Sequence, residues 1–469
     1  MDDGSGATRV LSAFVTNTRS EDISSDLLKV AKLRLIDCIG AMLIGSRRPW
    51  SRAVTAFSLA NGGGAGRSTI VGVPALCPPQ MAALANGNMA HADEIDDAHD
   101  EALSHPGAVV VPAALAAAEE RGASGMEFLC AIVLGYELAA RAGMGVGAVS
   151  HMLRGFYPTG TGCVFGATAA AAKLIALDEG RVAQALGIAG SFASGIVEYA
   201  NSGGAVKWLH AGRAAEGGIT AAYLAEAGFT GPSTALEGRF GFCRVFSDAP
   251  EKSRLIENLG RDFAIRSITV KPYACCSDMH TVIDALLAIW AKDKFDATEV
   301  KTILVEGPEK LVKLNNIDGT ASILAAKYSV PFTVALTLAR DIRDAGIYSE
   351  EILKDESLAS FQHKVRMSLA EDLDKIYPRI IAARVVVELN DGRKMTAESR
   401  GALGTVHQPL SHEQVLDKFR LTAASVISRE RTDAIMDCVE QIENAADLTR
   451  LGSLLRFKLG DSKEANVGH

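Results

Sequence analysis

Ala383-Arg-Val-Val-Val-Glu-Leu-Asn-Asp-Gly-Arg-Lys-Met-Thr-Ala397 is the stretch that decides the fold. Its consecutive valines form a β-branched run, and Asn390-Asp-Gly392 supplies the turn of a hairpin whose second arm follows at once. Two further β-branched runs precede it, Ile268-Thr-Val-Lys271 and Val300-Lys-Thr-Ile-Leu-Val-Glu306. Helical patterns at about 280–292, 320–345 and 349–363 alternate with these runs, so residues 267–405 read as a small α+β domain.

On both sides of this domain the pattern is helical. Asp26-Leu-Leu-Lys-Val-Ala-Lys-Leu-Arg-Leu-Ile-Asp-Cys-Ile-Gly-Ala-Met-Leu43 repeats apolar residues at intervals of three and four. Ser124-Gly-Met-Glu127 is a capping box that opens the helix through Tyr136. Segments 164–177, 180–194 and 208–228 are rich in Ala and Gly, which permits close helix packing; Ser68-Thr-Ile-Val-Gly72 is the main strand candidate here. Ser411-His-Glu-Gln414 caps a new helix, and the pattern continues to about Leu455. The expected fold class is mostly α: a large Ala/Gly-rich helical domain, built from 1–266 and a C-terminal return at 406–456. An inserted smaller α+β lid domain at 267–405 and a flexible tail at 457–469 complete it. An insertion of this kind is expected to leave a cleft at the junction, a favoured place for a ligand.

The 469 residues carry a net charge of −8, with 48% hydrophobic and only 6% aromatic residues. No basic cluster stands out, so nucleic acid and acidic membrane surfaces are poor partners. MDDGSGATRV lacks a cationic segment followed by an apolar one, and no run of eighteen apolar residues is free of charge. The eight cysteines are scattered without a Cys-x-x-Cys, which excludes zinc-ribbon and thioredoxin-like readings and fits reduced thiols in a cytoplasm.

Chemistry concentrates in His91-Ala-Asp-Glu-Ile-Asp-Asp-Ala-His-Asp-Glu-Ala-Leu-Ser-His105-Pro-Gly107, where three of the ten histidines and six carboxylates fall within fifteen residues. A run this polar in so apolar a chain is expected at a solvated surface or lining a cleft. A solvation loop needs no cluster of titratable rings, so the stretch reads as part of a site. Histidines with carboxylates serve either as ligands of divalent ions or as general acids and bases, and fixed metal signatures are absent. Arg154-Gly-Phe-Tyr-Pro-Thr-Gly-Thr-Gly162 is glycine-rich and reads either as an anion-binding loop at a helix start or as a turn needed for packing. Gly203-Gly-Ala-Val-Lys-Trp-Leu-His-Ala-Gly212 holds Lys207 and His210 three apart in small apolar surroundings. In Lys271-Pro-Tyr-Ala-Cys-Cys-Ser-Asp-Met-His280, Pro272 stops a strand and a helix begins near His280, whose imidazole the helix dipole should hold neutral. The adjacent Cys275 and Cys276 suggest a nucleophile, with no second feature in support.

Together these segments resemble the MmgE/PrpD family of 2-methylcitrate dehydratases, cis-aconitate decarboxylases and iminodisuccinate epimerase. The likeness rests on His91-x-x-Glu-Ile-Asp-Asp97 with His105-Pro-Gly107, Gly135-Tyr-Glu137 and Gly155-Phe-Tyr-Pro-Thr-Gly160. It continues through Lys207-x-x-His-Ala-Gly212, Gly228-Phe-Thr-Gly231 with Leu236-Glu-Gly238, and Lys271-Pro-Tyr-x-x-Cys-x-x-x-His280. The resemblance implies a homodimeric enzyme without metal or cofactor, acting on a small di- or tricarboxylic acid. Carried over by position, it implies Glu94, His105, Lys207, Lys271 and His280 as the acid–base and carboxylate-binding set, with Tyr157 beside them. The expected catalytic residues are His105, Tyr157, Lys207, Lys271 and His280, and Glu94, Asp97, Arg154 and His210 are expected to bind substrate.

Four positions depart from the decarboxylase type, which looks to carry Asp at Glu94, Thr at Ala98, His at Tyr157 and Tyr at Phe332. These departures favour an epimerase that exchanges a proton α to a carboxylate between two bases, His280 or His105 with Tyr157. A 2-methylcitrate dehydratase-like or cis-aconitate decarboxylase-like lyase is the alternative. A carboxylate-binding protein without turnover and a metal-dependent hydrolase are the remaining readings.

Overall fold

The computed structural model describes residues 6–202, 204–377 and 379–459. Gly203 and most of the tail assigned to 457–469 lie outside the described residues. The fold is mostly α, as the pattern predicts, and the chain divides into two compact units.

The helical unit comprises Met1–Ala92, Asp96–Ile268 and Val415–His469. Its centre is a set of helices at Pro79–His91, Gly107–Arg121, Gly125–Gly145, Pro158–Leu174 and Val206–Glu226. The Gly125–Gly145 helix starts at the expected capping box, where Ser124 and Glu127 cap each other's backbone N–H groups. It is long and apolar enough to cross a membrane, but 94% of its apolar window is buried inside the protein, which makes it a core helix. Close approach is built on missing side chains. A Cβ on Gly87 would stand 2.8 Å from the Gly212 Cα, so the Pro79–His91 and Val206–Glu226 helices nearly touch backbone to backbone. From the C-terminal segment, Lys418 Nζ reaches Asp37 Oδ1 at 2.5 Å, joining the His412–Ala424 and Ser25–Gly45 helices through a buried ion pair.

The smaller unit comprises Asp93–Ile95 and Thr269–Gln414. Its four-stranded sheet runs in the order Val365–Leu369, Val300–Gly307, Ala382–Leu389, Lys394–Arg400, with the first pair parallel and the others antiparallel. Ile303, Val305, Val385 and Val387 alternate inward and are fully buried, the period-two signature of a sheet with one covered face. The His280–Lys292 helix packs on this sheet. The hairpin forms where expected: the Gly392 N–H donates to the Leu389 carbonyl at 3.0 Å, and Gly392 takes φ +90°, a turn closed by a left-handed residue.

Some elements differ from the sequence pattern. The helix expected over 320–345 breaks into Ile323–Ala326 and Val330–Ala339. Pro331 cannot donate and Ser329 caps the second piece by accepting from the Phe332 N–H, so the chain restarts instead of continuing. The segment 349–363 is α-helical only at Glu356–Gln362, after an Asp355 cap and a 3-10 turn at Ile352–Lys354. The strand expected at 268–271 is limited to Ile268–Thr269.

Candidate active site

The polar stretch after the Pro79–His91 helix is not a solvated loop. His91 is fully buried, Asp93, Glu94 and Asp96 are each 1% exposed, and Asp97 is 4% exposed. Buried carboxylates persist only when paired or hydrogen-bonded. Glu94 also adopts φ +57°, a left-handed conformation that costs a non-glycine residue about 1–2 kcal/mol. Strain of this kind concentrates at functional sites. The stretch divides between the units: Asp93–Ile95 belong to the smaller one and Asp96 onward to the helical one.

In the helical unit, His91 Nδ1 lies 2.7 Å from Asp96 Oδ2, and His91 Nε2 lies 2.7 Å from the Tyr157 Oη. His105 Nδ1 is 2.7 Å from the Asp97 carbonyl oxygen and 3.4 Å from Asp96 Oδ2. A carbonyl oxygen only accepts, so His105 carries its proton on Nδ1 and its basic nitrogen is Nε2. The Asp97 carboxylate accepts from the Gly107 N–H at 2.9 Å and from the Tyr136 hydroxyl at 2.6 Å. That anchors the start of the Gly107–Arg121 helix and holds the carbonyl that orients His105. Burial pushes the Asp97 carboxyl up to about 7, against which the Tyr136 hydrogen bond works.

Tyr157 immediately precedes the Pro158–Leu174 helix, its N–H bonded to the Gly195 carbonyl at 3.0 Å. The glycine-rich loop reading changes here. Pro158 is the first helical residue, so Gly160 and Gly162 lie inside the helix, and a Cβ on Gly160 would stand 2.3 Å from the Ser194 carbonyl oxygen. These glycines serve packing. Arg154 is exposed and pairs with Asp248 at 2.9 Å, so it joins a surface ion pair and not the buried cluster.

Lys207 and His210 occupy the first turns of the Val206–Glu226 helix, both buried. The His210 ring stands 5.4 Å from that of Tyr157. Its buried Nδ1 has no hydrogen-bond partner among the described residues, which makes it a group that a ligand would satisfy. Burial, with a smaller contribution from His91, lowers the His210 imidazole to about 4, so it is neutral at pH 7.

In the smaller unit, Lys271 Nζ lies 3.4 Å from the Glu94 carbonyl oxygen and 3.9 Å from Glu94 Oε2. Lys327 Nζ lies 2.7 Å from Asp93 Oδ1 and 2.6 Å from the Asp93 carbonyl oxygen. Tyr328 Oη approaches Glu94 Oε2 at 3.4 Å. Neither Lys327 nor Tyr328 was foreseen from the sequence. Phe332, the position noted for lacking a tyrosine, is fully buried, whereas Tyr328 supplies a phenol beside Glu94. His280 opens the His280–Lys292 helix, with Nε2 3.3 Å from the Cys275 carbonyl oxygen. Burial pushes the Cys275 thiol up, and the Cys276 thiol up to about 11, which removes the thiolate a nucleophile needs.

His91, Asp96 and His105 could be read as a metal triad, since their ligand atoms lie within 4.8 Å of one another. Their bonding argues otherwise. His105 Nδ1 donates to the Asp97 carbonyl and both His91 nitrogens are hydrogen-bonded, so these atoms could face one ion only by breaking that network. The cluster in the helical unit is suited to moving protons: buried imidazoles, a phenol and carboxylates in hydrogen-bond reach of one another, with Lys207 buried in the same unit.

These features define an enzyme of acid–base type, and comparison with known proteins places it. Residues 9–255 match the MmgE/PrpD N-terminal domain and residues 273–443 the MmgE/PrpD C-terminal domain. The chain belongs to the MmgE/PrpD family. It is 30% identical to the cis-aconitate decarboxylase of Aspergillus terreus (strain NIH 2624 / FGSC A1156), covering 96% of each chain. It is 26% identical to the cis-aconitate decarboxylase of Homo sapiens over 92% of this chain and 91% of the relative. The Mus musculus cis-aconitate decarboxylase is 24% identical, over 96% and 93%.

Proposed function

We propose that this protein is a lyase acting on a small tricarboxylic acid, in the manner of cis-aconitate decarboxylation. Full-length similarity to relatives bearing that name carries the reading. It displaces the epimerase preference drawn from Tyr157 and Ala98 in favour of the lyase alternative. The acid–base cluster supports it chemically. Decarboxylation breaks the bond between carbon and a carboxylate, carbon dioxide leaves, and the electron pair that remains must be stabilised and then protonated.

Cations placed before the reaction stabilise charge as it develops, and Lys207 and Lys271 are assigned that role toward substrate carboxylates. His105 through Nε2 and Tyr157 through its hydroxyl are the assigned proton carriers, with His280 as a third. A positioned proton donor or acceptor contributes roughly 10²–10⁴-fold. At Tyr157 this chain keeps an O–H donor where the decarboxylase type looks to carry an imidazole, so proton delivery survives the exchange of residue. Glu94 and His210 are assigned to binding, Glu94 with a longer carboxylate arm than the Asp of that type. A homodimer and the absence of any cofactor belong to the same reading.

The test is proton NMR of the chelator-treated enzyme in D₂O with cis-aconitate, citrate, methylcitrate and iminodisuccinate. Loss of carbon dioxide with deuterium on the product carbon is the expected result. Loss of a hydroxyl would make it a dehydratase, and exchange without net product would restore the epimerase. Activity only on adding back a metal would overturn the cofactor-free mechanism.

A further inference from the structure

We propose that His91 and Asp96 form a positioning dyad that holds and recharges the Tyr157 phenol. The inference rests on the reading of Tyr157 as a proton carrier and adds two residues to it. The Asp96 carboxylate, 2.7 Å from His91 Nδ1, accepts that N–H and fixes the tautomer, leaving Nε2 to face the Tyr157 Oη at 2.7 Å. The three side chains form a line: carboxylate, imidazole, phenol, with all three residues buried. This is the logic of a carboxylate–histidine pair acting on a hydroxyl, here a phenol in place of a serine.

The geometry allows a balanced step. When Tyr157 gives its proton to the substrate carbon, the O–H bond breaks, a C–H bond forms and the phenol becomes a phenolate. In this direction the His91 ring starts as the imidazolium, having taken from solvent the one proton that replacing a carboxylate by hydrogen consumes. It returns that proton from Nε2 to the phenolate oxygen, and the Asp96 charge balances the imidazolium until then. In the opposite sense, the neutral ring accepts the phenolic proton, and the phenolate can take a proton from carbon. Free tyrosine titrates near 10, so at neutral pH the phenol keeps its proton until a hydrogen-bonded base such as the His91 imidazole takes it.

Two other groups, His105 and His210, face His91 and enter any pH argument. Its ring centroid is 4.9 Å from that of His105, Asp96 Oδ2 is shared with His105 Nδ1 at 3.4 Å, and His210 interacts electrostatically with it. A pH profile alone therefore needs a second, turnover-independent reading.

The experiment compares Tyr157→Phe, His91→Gln, Asp96→Asn and the double variant His91→Gln/Tyr157→Phe, all as full-length protein. Histidine ring nitrogens labelled with ¹⁵N are observed by NMR in parallel. We expect His91→Gln to lower kcat by about 10²-fold with KM little changed and to reshape the pH profile of kcat. The double variant should be no worse than Tyr157→Phe alone. In the NMR arm, Tyr157→Phe should shift the His91 Nε2 resonance while Nδ1 keeps its proton, and Asp96→Asn should disturb Nδ1. Multiplying losses in the double variant, or a His91 ring unmoved by Tyr157→Phe, would overturn the dyad. If no tricarboxylate is turned over, the lyase reading fails and the NMR arm still decides the relay.

Discussion

His105 Nδ1 donates to the Asp97 carbonyl oxygen across 2.7 Å, and this one bond assigns the basic nitrogen of the ring to Nε2. Asparagine can place its amide nitrogen near Nδ1 and glutamine near Nε2, so the two replacements separate orientation from chemistry. Neither amide is a base. Both His105→Asn and His105→Gln are expected to lower kcat by roughly 10²-fold or more, with circular dichroism unchanged. If His105→Gln retained full activity, His105 would be a hydrogen-bonding residue only.

Asp97 has a carboxyl raised to about 7 from its ordinary 3.8 by burial. Between about pH 4 and 7 the folded protein holds a proton that the unfolded chain has lost. Stability from this group therefore falls as pH rises through that window and levels off above about 7. His99 and His210, both lowered to about 4, act with the opposite sign between 4 and their ordinary 6.5, because there the unfolded chain binds the extra proton. The wild-type curve mixes these effects. The difference between wild type and Asp97→Asn, by urea denaturation from pH 4 to 8, isolates the first and is expected to shift in favour of the wild type as pH falls from about 7. A difference independent of pH would show that Asp97 is ionised throughout.

What the sequence revealed was whatever is local. The hairpin at Asn390–Gly392, the caps at Ser124 and Ser411, and the clustering of histidines after His91 are all set by neighbours within a few residues. The hydrogen bond from Tyr157 to His91 joins residues 66 apart, and the Lys327–Asp93 pair joins residues 234 apart. Periodicity assigns a residue to a face and says nothing of which distant partner it meets. The polar run reads as part of a site, but its near-complete burial was not legible for the same reason: Lys327 and Tyr136 from distant segments pair with Asp93 and Asp97, beside the nearby His91 imidazole and Gly107 N–H. Gly160 and Gly162 were ambiguous because a helical glycine and a loop glycine look alike until Pro158 fixes where the helix starts.

Lys327 and Asp93 are a buried ion pair, 3% and 1% exposed at their side chains. Removing one partner of such a pair leaves an uncompensated charge and costs about 3–5 kcal/mol. Lys327→Met and Asp93→Asn should each lower the unfolding free energy from urea denaturation by that order. The double variant should be less destabilised than the sum, because it leaves no orphan charge. Strict additivity would mean that the two groups do not depend on each other.

Gly212 sets the spacing of two helices that carry the cluster. A Cβ there would stand 2.2 Å from the Leu84 carbonyl oxygen and 3.1 Å from the Asn88 backbone nitrogen. The contacts are to backbone, which cannot rotate away, so the Val206–Glu226 helix must move off the Pro79–His91 helix. Lys207 and His210 ride on the first helix, and His91 ends the second. Overpacking of this kind costs typically 1–3 kcal/mol, and a displacement near 1 Å at reacting groups can lower the rate about 10²-fold. Gly212→Ala is therefore expected to lose much more activity than stability, measured as kcat beside the urea midpoint. The neighbouring Ala211→Gly leaves the helix contact open and serves as the control. Equal, small effects from both substitutions would show that the cluster tolerates a shift of its scaffold.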